Sequence, residues 1–340
     1  MSSLSPALLL SALKKLGEHM RSPHVYFNEM IKQAQQHNGW FTPEETERSL
    51  LSLGHMLNEA DLDTWFDVIR MTPQPKKIGL ILAGNIPLVG FHDILCVLAT
   101  GHIALLKMSS SDDQLLPVIV AHLISLEPLI GSHIQYADRF SGFDAVIATG
   151  SNNSSRYFEY YFGKVPHIIR KNRNSVAVLD GQESDADIER LGHDIFDYHG
   201  LGCRNVSKIY IPAGYAIEKL FKPLEKFRSV ADHFKYHNNY DYHKSIYLVN
   251  GAKHYDNGFL IVKEDSTLAS PLAVLHYETY PALSDVHARL EENKEHIQCI
   301  IARPDLDLPQ KAVGFGQSQN PKLWDYADDV NTINFLEQIR

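Results

Sequence analysis

The chain has 340 residues, 44% of them hydrophobic and 21% charged, which suits a globular protein of about two domains with proper cores. Its 41 acidic residues against 32 basic ones leave a formal net charge of −9, which argues against nucleic acid as the main partner, since phosphate binding needs a basic face. The N-terminal run "ALLLSAL" is too short to span a membrane and lacks the preceding basic residues of a signal peptide, and Cys96, Cys203 and Cys299 form no CxxC pair, so a reducing cytoplasm is the expected location.

Residues 1–72 read as helices. In "TPEETERSLLSLGHML", Thr42 is the N-cap, Pro43 opens the helix and Glu45 completes a capping box. From residue 77, short apolar strands alternate with helical segments: "KIGLILAG", then "VGFHDILCVLAT", then "IALLKMS", then "DDQLLPVIVAHLISL", then "DAVIATG" and "SNNSSRYFEYYFG". That alternation predicts parallel βαβ units with helices on both sheet faces. Ligands then belong at the strand ends, in the turns "AGNIP", "KMSSSD" and "TGSNNS". A second α/β block runs from about 175, with "SVAVLDG", a helix capped by Ser184, and strands at "SKIYIP", "SPLAVLHYE" and "IQCIIA". The expected division is a helical segment 1–72, a nucleotide-binding domain 73–174, a catalytic domain 175–305 and a C-terminal tail 306–340 suited to oligomerisation.

Cys203 stands apart from the other thiols. Cys96 and Cys299 lie in apolar runs and read as core packing, whereas Cys203 sits in "DYHGLGCRNVSKIYIP" between glycines and beside Arg204. Glycine permits unusual dihedrals and close approach, and a neighbouring cation favours thiolate. A small apolar residue in a tight turn is the alternative. Asn85, after Gly84 and before Pro87, either donates to an oxyanion or caps its turn. Lys107 ends a strand, where its ammonium meets either a ribose or phosphate oxygen or solvent. "KMSSS" echoes a class I aminoacyl-tRNA synthetase signature, but no matching upstream histidine motif exists and the chain is acidic, so that reading fails. His233, His237 and His243 include an H-x3-H spacing, but the segment reads as solvated histidines rather than a zinc site, and no metal is expected. "YFEYYF" reads as a helix packing against the sheet or a partner subunit.

Taken in order, these pieces resemble the aldehyde dehydrogenase superfamily, and within it the LuxC-type fatty acyl-CoA reductases. "AGNIPLVG" is similar to the Asn-Phe-Pro turn, "LATGHIALLKMSSSD" to the Lys-Pro-Ser segment, "ATGS" to the Thr-Gly-Ser turn, "GLGCRNVSKIYIP" to the nucleophile loop and "SPLAVLHYETYPALSDV" to the Gly-Pro-Val segment. The resemblance implies a Rossmann-type parallel-sheet cofactor domain and a second α/β catalytic domain. It implies Cys203 as nucleophile and Asn85 as oxyanion donor, helped by the Cys203 backbone N–H. Lys107 and Ser109 would contact the adenosine ribose, with Gly150 and Ser151 lining the pyrophosphate and nicotinamide region. His199, four residues before the thiol, is a proton-shuttle candidate or a structural histidine.

Three departures from the family pattern refine the expectation. The family's activating glutamate falls on "IRKNRNS", which has none, so the acyl-enzyme should not be hydrolysed. The ribose-binding glutamate after Lys-Pro-Ser is Ser110 here, so NADPH is expected over NADH, with Lys107 pairing the 2′-phosphate. The other ribose contact falls near Thr267. The implied reaction is reduction of acyl-CoA or acyl-carrier thioesters to aldehydes by a homodimer or higher homo-oligomer; Arg170, Lys171 and Arg173 are suited to CoA phosphates or form a solvated loop. The alternatives are a non-catalytic subunit or binding module of the same fold, or a reductase of another activated acyl group.

Overall fold

The computed structural model describes residues 4–339, apart from the side chain of Asn152. The chain divides into two compact units, one of residues 1–172 with 320–340 and the other of residues 173–319. The boundaries expected from sequence lay at 174/175 and 305/306.

The first unit opens with α1 (Pro6–Met20), α2 (Pro23–Tyr26), α3 (Asn28–His37), α4 (Pro43–Met56) and α5 (Glu59–Val68). Helices α1, α4 and α5 start on side-chain caps: Ser5 Oγ accepts from Leu8 N–H at 3.3 Å, Thr42 Oγ1 from Glu45 N–H at 3.2 Å and Asn58 Oδ1 from Asp61 N–H at 2.9 Å. Glu45, expected to complete a capping box, places its carboxylate on Arg48 Nε at 3.1 Å. In α1 the helical spacing of Leu9, Leu13, Leu16 and Met20 makes one buried face.

The alternating segments follow as β1 (Lys77–Ile81), α6 (Phe91–Ala99), β2 (Ile103–Lys107), α7 (Leu115–Leu126), β3 (Ile134–Tyr136), β4 (Ala145–Thr149), α8 (Asn152–Phe162) and β5 (His167–Arg170). They form a parallel sheet of order β3-β2-β1-β4-β5. The central strands are near-continuous apolar runs because both faces are covered. The sheet's two edge strands, β3 and β5, were not singled out from sequence. Strand order reverses about β1 and β4, so a topological switch point lies at their carboxyl ends, where open α/β sheets bind ligands.

Helix α6 is buried on nearly all sides, and its one acid, Asp93, is matched by Arg170 at the end of β5. Arg170 Nη1 donates to both Asp93 oxygens, at 2.8 and 2.6 Å, and Nη2 donates to Thr332 Oγ1 at 3.1 Å. Residues 320–339, including α13 (Thr332–Glu337), add Leu323, Ile333 and Leu336 to this unit's core. They are also tied by Trp65 Nε1 donating to the Tyr326 hydroxyl at 3.0 Å and Arg70 N–H to Glu337 Oε1 at 2.8 Å.

The second unit comprises β6 (Asn174–Val178), α9 (Asp185–Phe196), β7 (Val206–Pro212), α10 (Phe221–Leu224), α11 (Phe234–Val249), β8 (Tyr255–Asp256), β9 (Ile261–Glu264), β10 (Val274–Tyr280), α12 (Leu283–Glu292), β11 (Ile297–Ile301) and β12 (Ala312–Val313). Its seven-stranded sheet has the order β12-β11-β6-β7-β10-β9-β8, parallel except for the β8–β9 pair. Ser184 and Asp187 form a reciprocal capping box at the start of α9. Segment 233–243 lies at the start of α11, with His237 exposed and His233 as the N-cap, its Nδ1 accepting from Tyr236 N–H at 3.4 Å.

Candidate active site

In the second unit, Cys203 lies in the turn between the end of α9 and β7, and it is exposed. The turn is built by left-handed backbone at Tyr198 (φ 54°), His199 (φ 56°) and Gly200 (φ 78°), then fixed by Asn205. The Asn205 side chain is buried, 5% exposed. Its Oδ1 accepts from Gly202 N–H at 2.8 Å, and its Nδ2 donates to the carbonyls of Asp197 at 2.8 Å and Asp194 at 3.1 Å. One amide therefore closes the turn on the carboxy-terminal carbonyls of α9 that the helix leaves without partners. Ser175 on β6 braces the other side, donating to the Cys203 carbonyl at 2.9 Å.

The three thiols differ sharply. Burial in α6 pushes the Cys96 thiol far above its ordinary range. Burial likewise pushes Cys299 up to about 11, against the opposing pull of the nearby Arg204. Cys299 does not behave as the plain core residue expected from its apolar run: it is half-buried, with Sγ 3.0 Å from Ser175 Oγ, which places it beside the Cys203 turn. Asn205 and Ser175 were not identified as site residues from sequence, although an Asn three residues after a glycine turn is a local signal for side-chain closure of that turn. His199 is buried, 6% exposed, with its ring against His233 at a centroid distance of 4.3 Å. Thr267, near which the resemblance puts a second ribose contact, donates its hydroxyl to Asp265 Oδ1 at 2.8 Å and lies 3.1 Å from His276 Nδ1.

In the first unit, the remaining candidates collect at the carboxyl ends of β1, β2 and β4. Asn85 is exposed in the turn after β1. Lys107, the last residue of β2, is exposed and donates through Nζ to the Asp138 carbonyl at 3.1 Å. Ser109 Oγ accepts from Ser111 N–H at 3.3 Å and crowds Gly84, where a Cβ would lie 2.5 Å from it. Ser110 is exposed. Gly150 follows β4, packed so that a Cβ would lie 2.8 Å from the Phe158 ring, and its N–H donates to the Arg170 carbonyl at 3.3 Å. Ser151 N-caps α8, its Oγ accepting from Ser154 N–H at 3.2 Å. Exposed hydroxyls, an ammonium and a helix N-terminus thus share the edge that the sheet topology marks for a ligand. On α8 itself Tyr157, Tyr160 and Tyr161 are exposed, while Phe158 and Phe162 join an aromatic cluster with Phe140 and Phe143.

The basic segment 170–173 is reassigned. Arg170 is spent on Asp93 and Thr332 inside the first unit and is not a phosphate ligand. Lys171 pairs with Glu159 at 3.0 Å, and Arg173 donates to the Ile297 carbonyl at 3.3 Å.

The fold recurs in solved structures. Aldehyde dehydrogenase 21 from Physcomitrella patens, solved with succinate, superposes with a TM-score of 0.67 at 11% identity, covering 98% of this chain and 85% of that one. An E. coli NADP-dependent enzyme gives 0.64 at 13% identity (88% and 73%), and the aldehyde dehydrogenase KauB from Pseudomonas aeruginosa gives 0.63 at 13% (88% and 72%). A search of curated proteins finds no match. The family model described as acyl-CoA reductase (LuxC) matches residues 18–308, across the first sheet, the second as far as β11, and the Cys203 turn. With that match over most of its length and the aldehyde dehydrogenase fold beneath it, the chain belongs to the LuxC acyl-CoA reductase family of oxidoreductases.

Proposed function

We propose that the protein reduces acyl-CoA thioesters, fatty acyl ones in particular, to aldehydes with NADPH through an acyl-enzyme on Cys203. The observation that carries this reading is the contrast among the thiols: Cys203 alone is exposed, in a turn braced by Asn205 and Ser175 with Arg204 beside it, while burial raises both of the others. The Cys203 thiolate attacks the thioester carbonyl, the carbon–sulfur bond to CoA breaks, and CoA leaves as its thiol after taking up a proton. Splitting reduction into acyl transfer and aldehyde release replaces one difficult step by two easier ones. Asn85 is assigned to donate to the oxyanion, and His199 to carry the proton. The exposed residues at the β1, β2 and β4 ends fit a dinucleotide, with Lys107, Ser109 and Ser110 at the adenosine ribose and Gly150 and Ser151 toward the pyrophosphate. When bound, NADPH supplies the hydride that converts the acyl group to the aldehyde level. Collapse of the resulting thiohemiacetal on Cys203 releases aldehyde and regenerates the thiolate.

Ser110 places no carboxylate against a 2′-phosphate, and Lys107 offers it a cation, which favours NADPH. No carboxylate stands in segment 170–173 to activate water, so free acid should form slowly. Incubation with acyl-CoA and no nicotinamide should add one acyl mass, absent in Cys203→Ala. Label on Cys96 or Cys299, or rapid CoA-independent oxidation of aldehyde to acid, would overturn the assignment.

A further inference from the structure

Asp112 lies five residues beyond Lys107, is 2% exposed, and joins two loops of the first unit. Its Oδ2 accepts from Leu88 N–H at 2.8 Å. Its carboxylate also faces the Leu115 and Leu116 amides that open α7, although Oδ1 makes no hydrogen bond of standard geometry among the described residues. Leu88 sits at φ 60°, a left-handed conformation that costs a branched residue on the order of 1–2 kcal/mol and persists only where its surroundings enforce it. The turn carrying Asn85 is held at three points. Gly84 abuts Ser109 at its start, the Pro87 carbonyl accepts from Ser49 Oγ of α4 at 2.7 Å, and Leu88 is bound to Asp112 at its end. Two of those three points belong to the loop that follows Lys107. Burial pushes the Asp112 carboxyl up to about 6. The hydrogen bond that holds this buried acid in place is the one its Oδ2 makes across to Leu88.

We propose that Asp112 is a positioning residue that locks the Asn85 turn to the Lys107–Ser110 loop, so that a nucleotide seated on that loop sets the placement of Asn85. This inference rests on the reading of Asn85 as the oxyanion donor. The lock acts on placement rather than on affinity.

The test compares Asp112→Ser, whose shorter side chain cannot reach Leu88, with Asp112→Asn, which keeps the acceptor. Asp112→Ser should lower kcat on the order of 10- to 100-fold, with KM for acyl-CoA within a few-fold, and Asp112→Asn should recover most of the loss. Asn85→Ala/Asp112→Ser should be no slower than Asn85→Ala alone, since both changes remove one interaction. Amide exchange at Leu88 should accelerate in Asp112→Ser and be restored in Asp112→Asn. Additive losses in the double variant, or unchanged Leu88 protection in Asp112→Ser, would overturn the proposal. Full turnover in Asn85→Ala with Leu88 protection still lost in Asp112→Ser would remove Asn85 from the oxyanion role and uphold the lock.

Discussion

Replacing Asn205 tests whether the Cys203 turn is held by a hydrogen-bonded amide rather than by chain geometry. The amide accepts one backbone N–H and donates to the carbonyls of Asp197 and Asp194, all within 3.1 Å, in a buried position. Asn205→Ala leaves those groups without partners, at roughly 1–3 kcal/mol for each one that water cannot reach. With partial relaxation the expected loss is about 2–4 kcal/mol, a large share of the 5–15 kcal/mol typical of folded proteins. Asn205→Asp nearly preserves shape but turns the donor into an acceptor facing two carbonyl oxygens. The isosteric change should therefore be worse than the truncation. Thermal melts should show Asn205→Ala lower by roughly 5–15 °C, at about 2–4 °C per kcal/mol for a unit of this size, and Asn205→Asp lower still. Thiol titration with a chromogenic disulfide should show altered Cys203 reactivity in both. A melt for Asn205→Asp equal to or above that of Asn205→Ala would refute the donor argument, whatever happened to activity.

Limiting iodoacetamide at pH 8 should label Cys203 first, with Cys299, held up to about 11, labelled far more slowly and Cys96 only on unfolding, as peptide mapping would show. Asp112→Asn should gain stability relative to the wild type as pH rises. The folded carboxyl, raised to about 6, favours the protonated form, so its contribution is intact below the unfolded value near 3.8 and is lost as pH climbs through 6. The difference between urea midpoints at pH 4 and pH 8 should correspond to about 2.4 kcal/mol, since at pH 4 the unfolded carboxyl is already more than half ionised; parallel pH curves for the two proteins would contradict it. Arg170→Met should cost about 3–5 kcal/mol by stranding Asp93, with KM for acyl-CoA nearly unchanged in whatever folds, and Arg170→Met/Asp93→Leu should recover much of the loss. A large rise in KM with normal stability would return Arg170 to the substrate site.

The long βαβ segments were readable because parallel strands covered on both faces are apolar from end to end and lie between helices of clear amphipathic period. The edge strands of the first sheet were not. Ile134–Tyr136 is three residues with two exposed side chains, and His167–Arg170 ends in arginine, which reads as loop until Asp93 is seen to neutralise it. The same blindness to distant partners left Arg170 open between a phosphate contact and a solvated loop. The exposure of Cys203 could be read from its glycines and polar neighbours, since exposure follows local composition. Asn205 and Asp112 could not be given their places, because each acts through hydrogen bonds to backbone groups 3 to 24 residues away, which leave no periodic trace. Cys299 was hidden by its own strand: its flanking isoleucines are core, while the bulge between Ile297 and Ile300 changes the pairing around it.

The first unit is discontinuous in sequence, and that sets an order on its assembly during synthesis. Its core needs Leu323, Ile333 and Leu336, and the buried Arg170 guanidinium needs the Thr332 hydroxyl. As the chain leaves the ribosome, the helices and first sheet emerge early yet wait for the whole of 173–319 to follow before they can close. The second unit is one uninterrupted stretch and can complete its own contacts meanwhile. During that interval the uncovered side of α6 and the Arg170–Asp93 pair remain open to water, so the earliest-made half of the protein is the last to become native and the half most in need of protection until then.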